Sequence, residues 1–321
     1  MIVFDAISKT FPDGKVAVED LSLTVDDGQV VVFLGTSGSG KTTALKLINR
    51  LIEPTKGRIL VSNVDVKKQN IFSLRRSMGY AVQDDACFDH MTVLENLEVV
   101  LKLNHWNTDK IEKRIDYLLE LVNLEPKEFL YRYPFELSGG QKQRVGVARA
   151  LAADPPILLM DEPFSALDPM TREQLQNEFI DLVFQLKKTV VFVTHDLFEA
   201  LKIANKIAIF HEGKLQQFST PQELVLKPKN AFVDQFLGPH RFQLILHAET
   251  IKSQLKKLKM NKGKISTPEH LLMRHSLLEA LDYFKTTNEK QIPIFEGKEY
   301  VGHLTKQNLM EIINTIIKEN V

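Results

Sequence analysis

The sequence runs to 321 residues, 44% hydrophobic and 26% charged, which fits a globular protein with one large domain and something smaller. Lysine plus arginine balances aspartate plus glutamate at 41 each, so no overall basic field draws the chain to nucleic acid, and any such role would rest on a local patch. Cys87 is the only cysteine, which excludes an internal disulfide and fits a reducing compartment, by default the cytoplasm.

In chain order, residues 1–30 and 56–66 read as an antiparallel edge with turns at Asp13-Gly14 and Asp26-Asp27-Gly28. Short, unbroken, β-branched apolar runs stand at VVVFLG (30–35), PILLMDEP (156–163), TVVFVTHD (189–196) and KIAIF (206–210). Runs without polar alternation suit strands covered on both faces, the habit of parallel sheets. Helical stretches at 41–51, 110–123, 139–152 and 171–187 lie between them, so the pattern is α/β. Residues 92–135 read as mainly helical, starting at a capping box formed by Thr92 and Glu95. Proline and glycine return in STPQELVLKPKN and FLGPHRF, and the main boundary is placed at Gly238-Pro239, where a helix should stop. No apolar run approaches the roughly 20 residues of a membrane-spanning helix, and MIVFDAISKT lacks the pattern of a signal peptide. Service to a membrane would come from outside the bilayer.

Gly35 to Thr42, GTSGSGKT, fits G-x-x-x-x-G-K-[ST] and stands between an apolar strand and a helix, the setting of a phosphate loop. Backbone of Gly35, Thr36, Ser37, Gly38, Ser39 and Gly40 would wrap phosphate oxygens, with Lys41 as a point charge and Thr42 as a Mg²⁺ ligand; Thr43 follows on the helix. Asp161, at the end of ILLMDE, would hold Mg²⁺ through water, and Glu162 beside it would orient or deprotonate the attacking water. His195, closing VVFVTH, would sense the γ-phosphate from a neighbouring strand end, where ligands of open α/β sheets gather. A second candidate anion site opens the helix at ELSGGQKQR, residues 136–144.

Leu137-Ser138-Gly139-Gly140-Gln141 resembles the signature of ATP-binding-cassette (ABC) ATPases, and the order around it matches: phosphate loop, Gln83 at a strand end, signature, ILLMDEP, SALD at 165–168, then His195. The resemblance covers about residues 1–238 and implies a P-loop cassette: a mixed, largely parallel core sheet, an antiparallel β subdomain and a helical signature subdomain. It further implies ATP and Mg²⁺ as ligands, with Gln83 at the metal and catalytic water. Two cassettes would meet head to tail, so that Ser138, Gly139, Gly140 and Gln141 of one chain cap the γ-phosphate on the other. Phe11 would stack on adenine and Asp168 would couple the two sites. With a single phosphate loop in the sequence, a homodimer is the economical arrangement.

Long stretches, including LINRLIEPTKGRI (47–59), HMTVLENL (90–97) and residues 133–172, resemble the ATPase subunits of bacterial quaternary-amine importers. That resemblance implies separate transmembrane permease subunits, an extracellular solute-binding protein met indirectly, and a peripheral place on the cytoplasmic face of the membrane. An importer of another small solute and a soluble, non-transport cassette ATPase are the alternatives. After Gln83 the chain departs from the family with DDACFDH, where Asp84, Asp85 and Asp89 read either as a surface for a basic partner or as an exposed acidic loop.

From about Pro268 the tail resembles a single CBS domain: Leu278 to Leu281 on a first helix, IPIFEGKEYVGHLT as two strands turning at Gly297, and a closing helix. Domains are therefore expected at 1–238 (cassette), 239–264 (lysine-rich linker) and 265–321 (CBS-like). Asn308 stands where such domains often carry an acid for ribose, so a sensor and a plain dimerisation tail both stay open. Lys252, Lys256, Lys257, Lys259, Lys262 and Lys264 read either as a contact for anionic lipid or as a solvated face.

Overall fold

In the computed structural model, which describes residues 1–82, 87–165, 167–255, 269–287, 289–297 and 299–320, contacts gather the chain into two units. One is Met1–Asp196 with Ile203–Phe218, the other Leu197–Lys202 with Ser219–Val321.

The first unit opens with β1 (Ile2–Thr10) and β2 (Val16–Val25), turning at Asp13-Gly14, and β3 (Val30–Gly35) leads through the phosphate loop into α1 (Lys41–Ile48). With β4 (Lys56–Val61) and β5 (Val64–Asp65), the first two strands form an antiparallel sheet ordered β2-β1-β4-β5, as the turn signals predict. The chain continues through α2 (Ile71–Arg76), β6 (Met78–Ala81), α3 (Val93–Leu103), α4 (Thr108–Leu121), α5 (Pro126–Phe129), α6 (Gly139–Leu151) and β7 (Ile157–Asp161). Next come α7 (Pro169–Leu186), β8 (Thr189–Thr194), β9 (Lys206–His211) and β10 (Lys214–Ser219), while α8 (Leu197–Ile203), between β8 and β9 in the chain, belongs to the second unit up to Lys202.

The central sheet is ordered β10-β9-β3-β8-β7-β6, and β9, β3, β8, β7 and β6 are mutually parallel. Every residue of β3, β7 and β8 is buried, which is why their sequences show no polar alternation. Val31, Phe33, Leu159, Val191 and Phe210 of this sheet share a core with Leu45 and Ile48 of α1 and with Phe4, Leu21 and Ile59 of the antiparallel sheet. Each such side chain contributes about 1.5–3 kcal/mol by leaving water.

A helical layer carries the signature. Val93, Leu97 and Leu101 of α3 and Ile111, Ile115, Leu118 and Leu119 of α4 are buried at the three- and four-residue spacing of apolar helix stripes. The Thr92–Glu95 capping box forms as the sequence predicts. Asn96, fully buried, accepts from Phe88 N–H and donates to the carbonyls of Phe88, Met91 and Thr92, which pins the approach to α3. Gly79 of β6 lets α6 come close: a β-carbon there would lie 2.0 Å from the Ala150 carbonyl oxygen.

In the second unit, α9 (Pro221–Leu226), α10 (Ala231–Leu237) and α11 (Arg241–Ala248) precede a three-stranded sheet. The α10 helix stops before Gly238, at φ 66°, as expected. The stretch read as a linker nevertheless contains α11, because Leu244, Ile245, Leu246 and Ala248 bury one face and Arg241 donates to the carbonyls of Val225 and Leu226. The tail then forms β11 (Leu271–Leu272), α12 (Leu277–Thr286), β12 (Gln291–Glu296), β13 (Glu299–Thr305) and α13 (Lys306–Asn320), with β11 parallel and β13 antiparallel to β12. Lys252 pairs with Glu296 at 2.6 Å, so this first lysine of the basic stretch has an acid beside it. Lys256, Lys257, Lys259, Lys262 and Lys264 lie outside the described residues. No described helix is long and apolar enough to cross a membrane.

Candidate active site

Parallel pairing of β3, β8, β7 and β6 brings the segments that follow them to one edge of the sheet, where ligands of such folds collect. The phosphate loop follows β3, His195 follows β8, and Asp161 ends β7 with Glu162 next to it. Gln83, expected just beyond β6, lies outside the described residues, as do Asp84 and Asp85; Asp89 is exposed.

The loop owes its shape to glycine. Gly40 sits at φ 103°, and a β-carbon on it would be 2.2 Å from the Ala17 carbonyl oxygen; at Gly35 the same atom would meet the Phe210 carbonyl at 2.3 Å. Thr36, Ser37 and Gly38 are exposed, while Ser39 is buried with no hydrogen-bond partner for its hydroxyl among the described residues. Lys41, 4% exposed, donates to the Gly35 and Thr36 carbonyls at 2.8 and 2.9 Å. Burial lowers its pKa against the opposing pull of the Glu162 and Asp161 carboxylates. Thr43 is half-buried on α1.

Thr42 Oγ1 donates to Asp161 Oδ1 at 2.8 Å, which joins the first helix turn to the end of β7. Burial raises the pKa of the Asp161 carboxyl; the Thr42 hydrogen bond and the Lys46 charge oppose it. Tyr80 of β6 places its hydroxyl 3.5 Å from Asp161 Oδ2, and burial, then that carboxylate, raise the phenol pKa. Glu162 adopts φ 46°, donates its N–H to the Val193 carbonyl, and meets His195 Nδ1 through Oε2 at 3.0 Å. A non-glycine residue in that region carries strain, and strain of this kind gathers at active sites. The structure thus brings together Gly35 to Thr42, Asp161, Glu162 and His195.

The signature stands apart. Ser138 caps α6 in a capping box with Gln141, Ser138 and Gly139 are exposed, and no described hydrogen bond joins residues 138–141 to the phosphate loop. Gly140 lies against Leu167 and Thr171, next to Asp168, which caps α7 and is held acidic by its hydrogen bonds from Thr171. Phe11 is half-buried in the β1–β2 turn with the Lys9 ammonium 5.2 Å from its ring centroid. The sequence reading passed over Tyr80, and over the Ala17 and Phe210 carbonyls that demand glycine. Only the spacing of Tyr80 before Gln83 hints at the first, and nothing in sequence signals a carbonyl approach.

Residues 18–165 match the family described as ABC transporter. Over 238 residues the chain is 47% identical to the glycine betaine uptake system ATP-binding protein YehX of Escherichia coli (strain K12), with 74% of this chain and 77% of that protein covered. The chain belongs to the ABC transporter family. It is also 51% identical over 241 residues to the carnitine transport ATP-binding protein OpuCA of Listeria monocytogenes serotype 1/2a (strain 10403S), covering 75% of this chain. That match spans 60% of the relative's length. Among solved ABC structures, a dimeric post-hydrolysis state of the ATP-binding cassette MJ0796 bound to ADP and Pi superposes with TM-score 0.63 at 33% identity, covering 68% of this chain and 98% of that one. The P-loop α/β cassette expected from the motifs is the fold observed.

Proposed function

We propose that this chain hydrolyses ATP to drive an importer of quaternary-amine osmoprotectants such as glycine betaine, carnitine or choline. The observation that carries the reading is the Thr42–Asp161 contact at 2.8 Å beside Lys41, with Glu162 held by His195 one strand away. Two hard oxygen donors that close, next to a loop whose β-carbons would collide with backbone, suit Mg²⁺ and a polyphosphate. Thr42 and Asp161, with Gln83, would hold Mg²⁺, which would supply charge neutralisation to a bound polyphosphate. Lys41 exchanges the Gly35 and Thr36 carbonyls for phosphate oxygens, and the buried Ser39 hydroxyl gains a partner. Glu162 orients the attacking water and takes its proton, while His195 fixes the carboxylate that does so.

Two copies share the ATP sites in this reading: Ser138 to Gln141 of one face the phosphate loop of the other, Phe11 stacks on adenine, and Asp168 links the sites. The cassette occupies 1–238, a lysine-rich connecting segment that opens with α11 occupies 239–264, and a CBS-like domain 265–321. The dimer works on transmembrane permease subunits from the cytoplasmic face, receives solute indirectly from an extracellular binding protein, and sets its lysines near anionic lipid. Nucleic acid has no part. The relatives' names support the solute class.

The test is uptake of labelled glycine betaine, carnitine and choline by a strain lacking its own importers, supplied with this chain together with permease and binding-protein subunits of a quaternary-amine importer from the same organism. Uptake should appear with the wild type and vanish with Glu162→Gln, which keeps ATP binding and loses most turnover. Hydrolysis at the normal rate by Glu162→Gln, or no uptake of any of the three solutes, contradicts the proposal.

A further inference from the structure

Two helix starts stand side by side in the first unit. A β-carbon at Gly140, in the first turn of α6, would lie 3.1 Å from Leu167 Cδ2 and 3.4 Å from Thr171 Cγ2, at the beginning of α7. Ser138 caps one helix and Asp168 the other. One turn beyond Gly140, Arg144 reaches across: its Nη1 donates to Glu178 Oε2 at 3.0 Å and to the Val122 carbonyl, at the end of α4, at 2.6 Å. Gln174 donates to the other Glu178 oxygen at 2.9 Å. Arg144 is 9% exposed, and Val147, Phe164, Leu175 and Phe179 line the same small cavity.

Net stability does not account for charges in such a place. Desolvation offsets most of the attraction, and an apolar pair of similar volume holds a fold as well or better, whereas an ion pair with directed hydrogen bonds fixes one register. Gly140 and the Arg144–Glu178 pair are four residues apart on α6, so together they prevent both sliding and rotation of α6 against α7. We propose that Arg144 and Glu178 are positioning residues: their pair fixes the height of α6 on α7, and so of Ser138 relative to Asp168, for contact with the nucleotide on a second copy. This rests on the shared-site reading above. Hydrogen bonds to an anion tolerate only a few tenths of an ångström, and a misplacement of about 1 Å costs up to about 100-fold.

The full chain carrying Glu162→Gln allows ATP-dependent association to be read without turnover. In it, Arg144→Met with Glu178→Leu replaces the pair by apolar side chains. The expected result is a folded chain with unchanged binding of a fluorescent ATP analogue by the dilute monomer, its unfolding midpoint lowered by no more than loss of the donor to the Val122 carbonyl explains. Association at saturating ATP should weaken by about 10- to 100-fold. Glu178→Gln alone, which keeps the shape, should weaken association in the same direction, and it carries the result should the double variant not fold. Association equal to the parent's in the folded variants overturns the positioning role and leaves the pair structural. A parent that does not associate with ATP refutes the shared site, and the purpose of the clamp with it.

Discussion

Gly79→Ala places one methyl between β6 and α6. Its β-carbon would lie 2.0 Å from the Ala150 carbonyl oxygen and 2.8 Å from Leu158 Cδ2. Carbon–oxygen contacts settle near about 3.3 Å, so the helix backbone has to retreat by about 1.3 Å, and a carbonyl has no flexible end to swing aside. Overpacking costs about 1–3 kcal/mol, with the upper end expected where backbone moves, and the stiffer unfolded chain returns about 0.4–1 kcal/mol. The net loss is then about 2 kcal/mol, or a fall of about 4–8 °C in midpoint for a unit of this size, read by calorimetry or circular dichroism. Since α6 begins at Ser138, ATP-dependent association should weaken as well, while the isolated chain still binds ATP. A midpoint within about 1 °C of wild type would refute the close seating of α6 on the sheet.

Asp161→Asn should separate stability from activity. Burial raises the folded-state pKa of this carboxyl, so its stabilising contribution is full below the ordinary carboxylate range and lost as pH rises through the folded value. At neutral pH the variant should therefore melt higher than wild type, the gain shrinking towards about pH 4, while Mg²⁺-dependent turnover disappears; equal midpoints at neutral pH count against burial as the cause. Asn96→Ala strands the buried Phe88 N–H and the Met91 carbonyl, while the Phe88 and Thr92 carbonyls keep backbone donors, and should cost about 2 kcal/mol in urea unfolding, with a loss under about 1 kcal/mol meaning that water replaces the amide.

The buried strands were legible because β3, β7 and β8 are apolar without alternation, and Thr92, Glu95 and Ser138 announced their helix starts by capping chemistry. The phosphate loop and the Asp161-Glu162 pair were legible because phosphate and metal chemistry require those residues at those spacings. Short helices escaped: α2 and α9 are six residues each, too brief for periodicity, although Asn70 and the Thr220–Glu223 capping box mark where they begin. The α11 helix escaped because proline and glycine just before it look like the start of a linker. Arg144 meeting Glu178, or Tyr80 meeting Asp161, depends on tertiary approach over tens of residues, for which one sequence holds no local signal.

Ser138 accepts the Gln141 N–H through a lone pair of its hydroxyl oxygen, which leaves the hydroxyl proton uncommitted. Asparagine and aspartate cap a helix as well as serine does, so a library screened for folding alone would return all three at this position. Neither substitute has a hydroxyl proton to give, and aspartate would repel a phosphate outright. On the shared-site proposal, a screen for ATP-dependent work would reject aspartate and would keep asparagine, whose amide can still donate, only as far as its greater bulk fits where the hydroxyl stands.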